Sequence, residues 1–230
     1  MDPAQQDVYG DDPRSELGAL LPEINVRRLL DVGCASGSFG ATVRSRYGDV
    51  VVDGVEAVAE AAEAAKSRLD QVFVGYFPQA VPQATPKYDV VTFNDVLEHM
   101  VDPWEALRAT HAYLAPGGKV FASLPNVQYG PNVMDLLAGK WEYVDKGILD
   151  RTHLRFFTRD SLRDLFVSAG FEVESIVGIN TVWDREWRFK QVPAIHARVR
   201  RDLRRLQRKA WLSRRPDAQW MQFAVIGSPI

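Results

Sequence analysis

Apolar and polar positions along this chain fall into blocks whose period switches back and forth between that of a strand and that of a helix. Residues 26–32 are an apolar run closing on Gly33, which reads as a buried strand. Residues 36–47 follow as a helix after a turn of small residues. Residues 50–55 form a second, β-branched strand ending at Glu56, and the Ala-rich stretch 57–68 is helical. Short apolar runs at 71–75 and 88–93 predict the third and fourth strands. An amphipathic helix over 103–114 is stopped by Pro116-Gly117-Gly118, and a fifth strand follows at 119–124. A helix at 158–169 with Gly170 at its end, a sixth strand at 171–177 and a last strand at 219–226 complete the series, with a short helix at 14–22 ahead of it. Strands alternating with helices predict an α/β fold with a mostly parallel sheet covered on both faces. Residues 125–157 break the rhythm and carry many aromatic and polar side chains.

Composition narrows the setting. The chain has 230 residues, which suits one domain over 1–230 with elaborations. The single cysteine, Cys34, excludes an internal disulfide framework. No secretory or membrane-spanning apolar run is present, so a cytoplasmic location is expected. The net charge of −2 conceals an asymmetry: residues 184–215 hold twelve Lys/Arg against three acids, a net of +9 that leaves −11 on the rest. Within that segment Val192, Ile195, Val199, Leu203, Leu206 and Ala210 recur at helical spacing, which predicts a basic amphipathic helix. Such a helix packs on the domain or on a second subunit of a homodimer, or meets an anionic partner or membrane surface.

The most specific chemistry lies at the first turn. Asp31-Val32-Gly33-Cys34-Ala35-Ser36-Gly37 ends a buried strand, turns through small residues and enters a helix. Glycines there let a ligand press against the backbone. A nicotinamide dinucleotide site calls for G-x-G-x-x-G, whereas Ala35 holds the second glycine position and the spacing here is Gly33-x-x-x-Gly37. S-adenosylmethionine carries no phosphate and fits better: Asp31 suits its amino group, and Glu56 suits its two ribose hydroxyls as a bidentate acceptor.

This loop with Glu56, the strand Tyr88-Asp89-Val90-Val91-Thr92-Phe93-Asn94-Asp95 and the turn Leu114-Ala115-Pro116-Gly117-Gly118-Lys119 together resemble class I S-adenosylmethionine-dependent methyltransferases. The resemblance implies a Rossmann-like, seven-stranded sheet whose last strand is antiparallel. It implies adenine near Gly75, Tyr76 and Phe77, and a cofactor lined by Asn94, Asp95 and Val96. Many relatives carry an acid where this chain has Tyr76.

Just past the fourth strand stands Asn94-Asp95-Val96-Leu97-Glu98-His99, and a later His153 lies in Asp150-Arg151-Thr152-His153. Three readings are open. His99 or His153, with Glu98, acts as a general base toward a substrate hydroxyl. Alternatively, Asp95, Glu98, His99 and His153 hold a divalent ion such as Mg, Mn, Fe or Zn. In the third, Glu98 and His99 merely shape a helix start. The pattern resembles ubiquinone-pathway O-methyltransferases and small-RNA 2′-O-methyltransferases, which carry Glu-x-x-Glu-His and a later histidine; Asp95 stands where they have the first Glu.

The excursion at 125–157 sits where a substrate lid would be. Its stretches Leu136-Leu137-Ala138-Gly139-Lys140-Trp141 and Gly147-Ile148-Leu149-Asp150-Arg151-Thr152-His153 resemble a bacterial subfamily associated with glycan assembly. The expectation is O-methylation of a hydroxyl on a glycan or small molecule. RNA 2′-O-methylation and a non-catalytic cofactor-binding scaffold are the rivals, and the acidic remainder of the chain counts against nucleic acid.

Overall fold

The computed structural model describes residues 12–181 and 214–230. Nearly all of the basic helical excursion expected at 184–215 lies outside the described residues.

Strand β1, Arg28–Val32, reads RLLDV and is buried at every position after Arg28, as a central strand must be. It pairs in parallel with β2, Val51–Glu56, on one side and β4, Tyr88–Asn94, on the other. Strand β3, Gln71–Val74, extends the sheet beyond β2, and β5, Leu114–Pro125, lies beyond β4. Strand β7, Trp220–Pro229, runs antiparallel between β5 and β6, Phe171–Thr181. The order of this seven-stranded sheet is β3-β2-β1-β4-β5-β7-β6. Chain direction along the sheet reverses between β1 and β4, so a crevice opens past their carboxyl ends.

The period-two alternation of the strands splits the core into two layers. Leu29, Val52, Val90 and Phe121 pack on one face, and Leu30, Val91, Val120 and Ala122 on the other. Full burial of each such leucine or phenylalanine contributes about 2 kcal/mol. The flanking helices are α1, Ser15–Gly18; α2, Phe39–Tyr47; α3, Ala59–Ala65; α4, Pro103–Thr110; α5, Gly130–Leu137; and α6, Arg159–Ser168. Helix α4 starts where Asp102 accepts a 2.8 Å bond from the Glu105 amide, with Pro103 in its first turn. A reciprocal Thr158–Ser161 capping box starts α6.

Several elements differ from the pattern reading. Helix α2 begins at Phe39 rather than 36, because Gly37 is left-handed at φ 79°. The Pro116-Gly117-Gly118 turn lies inside β5: Leu114 pairs with Tyr88, four residues bulge out, and pairing resumes at Lys119–Val90. The excursion at 125–157 contains α5, started by Pro131, and is pinned by bridges Asn126–Phe157 and Val144–Asp150. No helix among the described residues is long and apolar enough to cross a membrane.

Candidate active site

The turn after β1 is built from left-handed backbone. Gly33 has φ 72°, Ala35 φ 47° and Gly37 φ 79°. At Gly33 space also dictates glycine, since a Cβ would lie 2.5 Å from a methyl of Val96. The loop is tied to β2 at three points. The Gly33 and Cys34 amides donate to the Val55 carbonyl at 2.8 and 3.1 Å, and the Ala35 amide donates to Glu56 Oε2 at 2.9 Å. The other Glu56 oxygen accepts from the Val58 amide at 2.8 Å. Each carboxylate oxygen retains a lone pair for a ligand hydroxyl.

Asp31 is buried at the end of β1, and one of its oxygens accepts the Thr92 hydroxyl bond at 2.6 Å. Burial pushes its carboxyl up to about 7; the Thr92 bond opposes the rise and the nearby Glu56 charge adds to it. Both polar atoms of the Asn94 side-chain amide are buried without a protein partner. A buried amide in that condition is out of place in a finished core and in place beside a polar ligand. Asp31, Glu56 and Asn94 thus fit a ligand with a cationic group and hydroxyls, as S-adenosylmethionine has.

The other expected cofactor contacts divide. Ser36 stands in the loop, its hydroxyl 2.9 Å from that of Ser38. The Cys34 sulfur faces inward against Gly54, where a Cβ would come within 2.6 Å of it, and burial raises its thiol. Only its backbone is available to a ligand. Gly75 is anchored by its amide to the Glu56 carbonyl at 2.8 Å. Tyr76 is 78% exposed, whereas Phe77 is buried in edge-to-face contact with Phe93, ring centroids 5.7 Å apart.

Asp95 is engaged by other parts of the protein. The sequence places it among both the cofactor contacts and the metal ligands. In the structure it adopts φ 55° and its carboxylate is taken up by Arg14, by Gln222 Nε2 at 2.9 Å and by Ser123 at 3.4 Å. It stands outside the metal-ligating group. Arg14 was not singled out by the sequence: it precedes the glycine turn by nineteen residues and belongs to no motif. Gln222 is equally silent, a polar residue on a β-rich strand, although a nearly buried amide there is its own signal once seen.

Glu98, His99 and His153 do converge. One candidate ligand atom from each lies within 4.8 Å of the others, the one such group among the described residues. Glu98 and His99 sit on the 3₁₀ turn Leu97–His99 directly after β4, and the excursion brings in His153. The imidazoles meet edge to face with centroids 4.6 Å apart. Glu98 is buried, and neither carboxylate oxygen has a partner. Burial, with the negative charge of Asp95, lifts its carboxyl well above the usual range. Burial lowers both histidines below 6.5, and the neighbouring His153 lowers His99 further. The imidazoles are therefore neutral at neutral pH, the form in which they act as ligands or bases.

The methyltransferase domain family matches residues 9–176. A ubiquinone biosynthesis O-methyltransferase of Ruegeria pomeroyi is 34% identical over 150 residues, 63% of this chain and 60% of the relative. One from Cereibacter sphaeroides is 30% identical over 198 residues, 81% of this chain and 78% of the relative. The chain therefore spans three-fifths of the first relative's length and over three-quarters of the second's. A SAM-dependent methyltransferase from Archaeoglobus fulgidus shares the fold, with a TM-score of 0.63 at 15% identity over 96% of this chain and 93% of that one. With that family match, the chain belongs to the methyltransferase domain family and is an S-adenosylmethionine-dependent methyltransferase.

Proposed function

We propose that this enzyme transfers the methyl group to a hydroxyl oxygen of a ring-bearing small molecule or glycan, at a site where Glu98, His99 and His153 hold a divalent cation. The carrying observation is the convergence of those three donors within 4.8 Å. The donor set fits a cation: a buried carboxylate with no partner is unstable as an anion alone, and imidazole with carboxylate suits Mg, Mn, Fe or Zn. The names of the two relatives, both O-methyltransferases of ubiquinone biosynthesis, support oxygen as the acceptor atom. A ring-bearing acceptor is supported by the aromatic wall beside the cluster, where Trp141 meets Phe156 at 5.5 Å and Phe156 meets His153 at 6.4 Å.

When bound, the cation supplies Lewis acidity toward the acceptor hydroxyl. The chain's own residues do the rest. Asp31 holds the cofactor's ammonium, Glu56 its ribose hydroxyls, and the Asn94 amide faces it from β4. Because β1, β2 and β4 are paired in one sheet, these groups keep a fixed distance from the cluster on the turn after β4. Transfer from a sulfonium needs mainly that alignment, plus removal of one proton. One observation favours a second reading: His99, neutral at neutral pH, is fitted to take that proton itself as general base.

Transfer of labelled methyl from S-adenosylmethionine to phenolic, glycan and RNA acceptors, with and without chelator, separates the readings. Label in the phenolic or glycan fraction that is lost with chelator and restored by a divalent ion is the expected result. Activity that survives chelation and disappears in His99→Ala assigns the base reading. Label confined to RNA overturns the acceptor class, and cofactor binding without transfer to any acceptor overturns catalysis by this site.

A further inference from the structure

A metal ligand or a base must present a bare nitrogen, and in an imidazole the partner of the other nitrogen decides which one is bare. Here one loop makes that decision for both histidines. Nδ1 of His153 lies 3.0 Å from the Ile148 carbonyl, which can only accept, so the proton sits on Nδ1. Nδ1 of His99 lies 3.1 Å from the Thr152 hydroxyl and 3.3 Å from the Thr152 carbonyl. The carbonyl only accepts. The hydroxyl has one proton, and at 2.7 Å that proton is committed to Asp150 Oδ1. Toward His99 the hydroxyl is therefore also an acceptor, and His99 is an Nδ1–H tautomer with a bare Nε2.

Asp150 is fully buried and keeps Thr152 in this orientation twice over, because the same oxygen accepts the Thr152 amide at 2.8 Å. The loop is closed by the Arg151 amide on the Val144 carbonyl at 3.0 Å. It is also fastened to the cluster, since the Leu154 and Arg155 amides donate to the Glu98 carbonyl at 2.8 and 3.1 Å. No ligand role falls to Thr152 or Asp150, yet Asp150 is buried and Thr152 half-buried beside the two histidines, and their hydrogen bonds run in one direction of donation.

We infer that Thr152 and Asp150 are positioning residues, which fix the tautomer and ring orientation of His99 so that its Nε2 enters the cluster unprotonated. The inference deepens the reading of Glu98, His99 and His153 as a cation site and rests on it for its metal readout. Its tautomer readout stands without that reading.

Two measurements test it. In the metal-free full-length protein, the nitrogen NMR shifts of the histidine rings report which nitrogen carries the proton. Both His99 and His153 are expected as Nδ1–H, and a proton on His99 Nε2 in the wild type overturns the inference. Cobalt(II) titration followed by its visible absorption reads the cluster directly. Thr152→Val is expected to weaken cobalt binding about tenfold, in the range for loss of an outer-shell partner. Thr152→Ser restores the hydroxyl and is expected to restore the affinity and the spectrum, with cofactor affinity the same in all three proteins. Wild-type affinity in a folded Thr152→Val overturns the positioning role. If wild type takes up no cobalt, the cation reading fails instead, and the ring nitrogen shifts alone decide the tautomer; should Thr152→Val not fold, Thr152→Ala takes its place with the same expected and overturning results.

Discussion

Replacing Asp31 with asparagine removes a buried charge and leaves the packing in place, because the new carbonyl oxygen can still accept the 2.6 Å bond from Thr92. Burial pushes the Asp31 carboxyl from 3.8 up to about 7, with Thr92 opposing and Glu56 adding to the rise. The second acidic neighbour, the Cys34 thiol, stays protonated. A carboxyl whose folded value lies above its unfolded one binds its proton more tightly when folded. Its contribution to stability is complete below the unfolded value and is lost as pH rises through the folded one. The gap between 3.8 and about 7 corresponds to on the order of 4 kcal/mol. Without cofactor, Asp31→Asn therefore gains stability relative to wild type as pH rises from about 4 to about 8, by an amount of that order. Urea unfolding of both proteins across this range measures the difference and cancels every other titrating group. With cofactor the sign reverses under the proposed pairing of ionised Asp31 with the ammonium: the cofactor is expected to raise the wild-type Tm more at higher pH and to raise that of the variant little. A wild type-to-variant difference that stays flat with pH refutes the burial argument. Undiminished cofactor affinity in the variant refutes the placement of Asp31 against the ammonium.

Gly33→Ala forces a Cβ to 2.5 Å from Val96 at φ 72°, and cofactor affinity by calorimetry is expected to fall at least about tenfold. Gly48→Ala has a similar φ of 75° with nothing within 4 Å, so it carries the backbone penalty of roughly 1–2 kcal/mol and leaves cofactor binding alone. Tyr88→Phe removes the 2.9 Å bond to buried Asp53, which keeps Arg28 at 2.6 Å; a stability loss of about 1–2 kcal/mol in urea unfolding, with unchanged cofactor affinity, is expected. Thr158→Ala breaks the capping box of α6 and is expected to lower stability by about 1 kcal/mol, read as a shift in the urea midpoint at constant slope.

The parts of this molecule that could be read from sequence are those whose physics is local. The run Leu29-Leu30-Asp31-Val32 declares a strand buried on both faces, and that strand is central in the sheet. Gly33 and Gly37 declare a backbone that side-chain-bearing residues avoid, and both are left-handed. Glu56 could be placed because it ends the next strand, which pairs with β1 residue for residue. Local physics also misleads where a long-range contact overrides it. Pro116-Gly117-Gly118 is a strong stop signal, yet the chain had already begun β5 at Leu114, held by pairing to Tyr88. Cys34 stands in a ligand loop by position, but the missing side chain of Gly54, twenty residues on, opens a space inward and the sulfur takes it.

Asp95 shows the same limit inside the site. The groups that its cluster resembles carry a glutamate there, and charge type alone makes Asp95 a ligand beside Glu98. Its shorter arm and left-handed backbone leave the carboxylate with Arg14 from the amino-terminal segment and Gln222 from the antiparallel strand. Neither partner is within reach of a sequence argument, since one precedes Asp95 by 81 residues and the other follows it by 127. The consequence is a division of labour between carboxylates of one turn. Asp95, compensated by a guanidinium, is settled in the resting protein, whereas Glu98, three residues on, is buried with neither oxygen bonded. Of the two, the uncompensated one stands with two imidazoles whose Nδ1 atoms are already engaged, so it is at Glu98 that an incoming positive charge gains most.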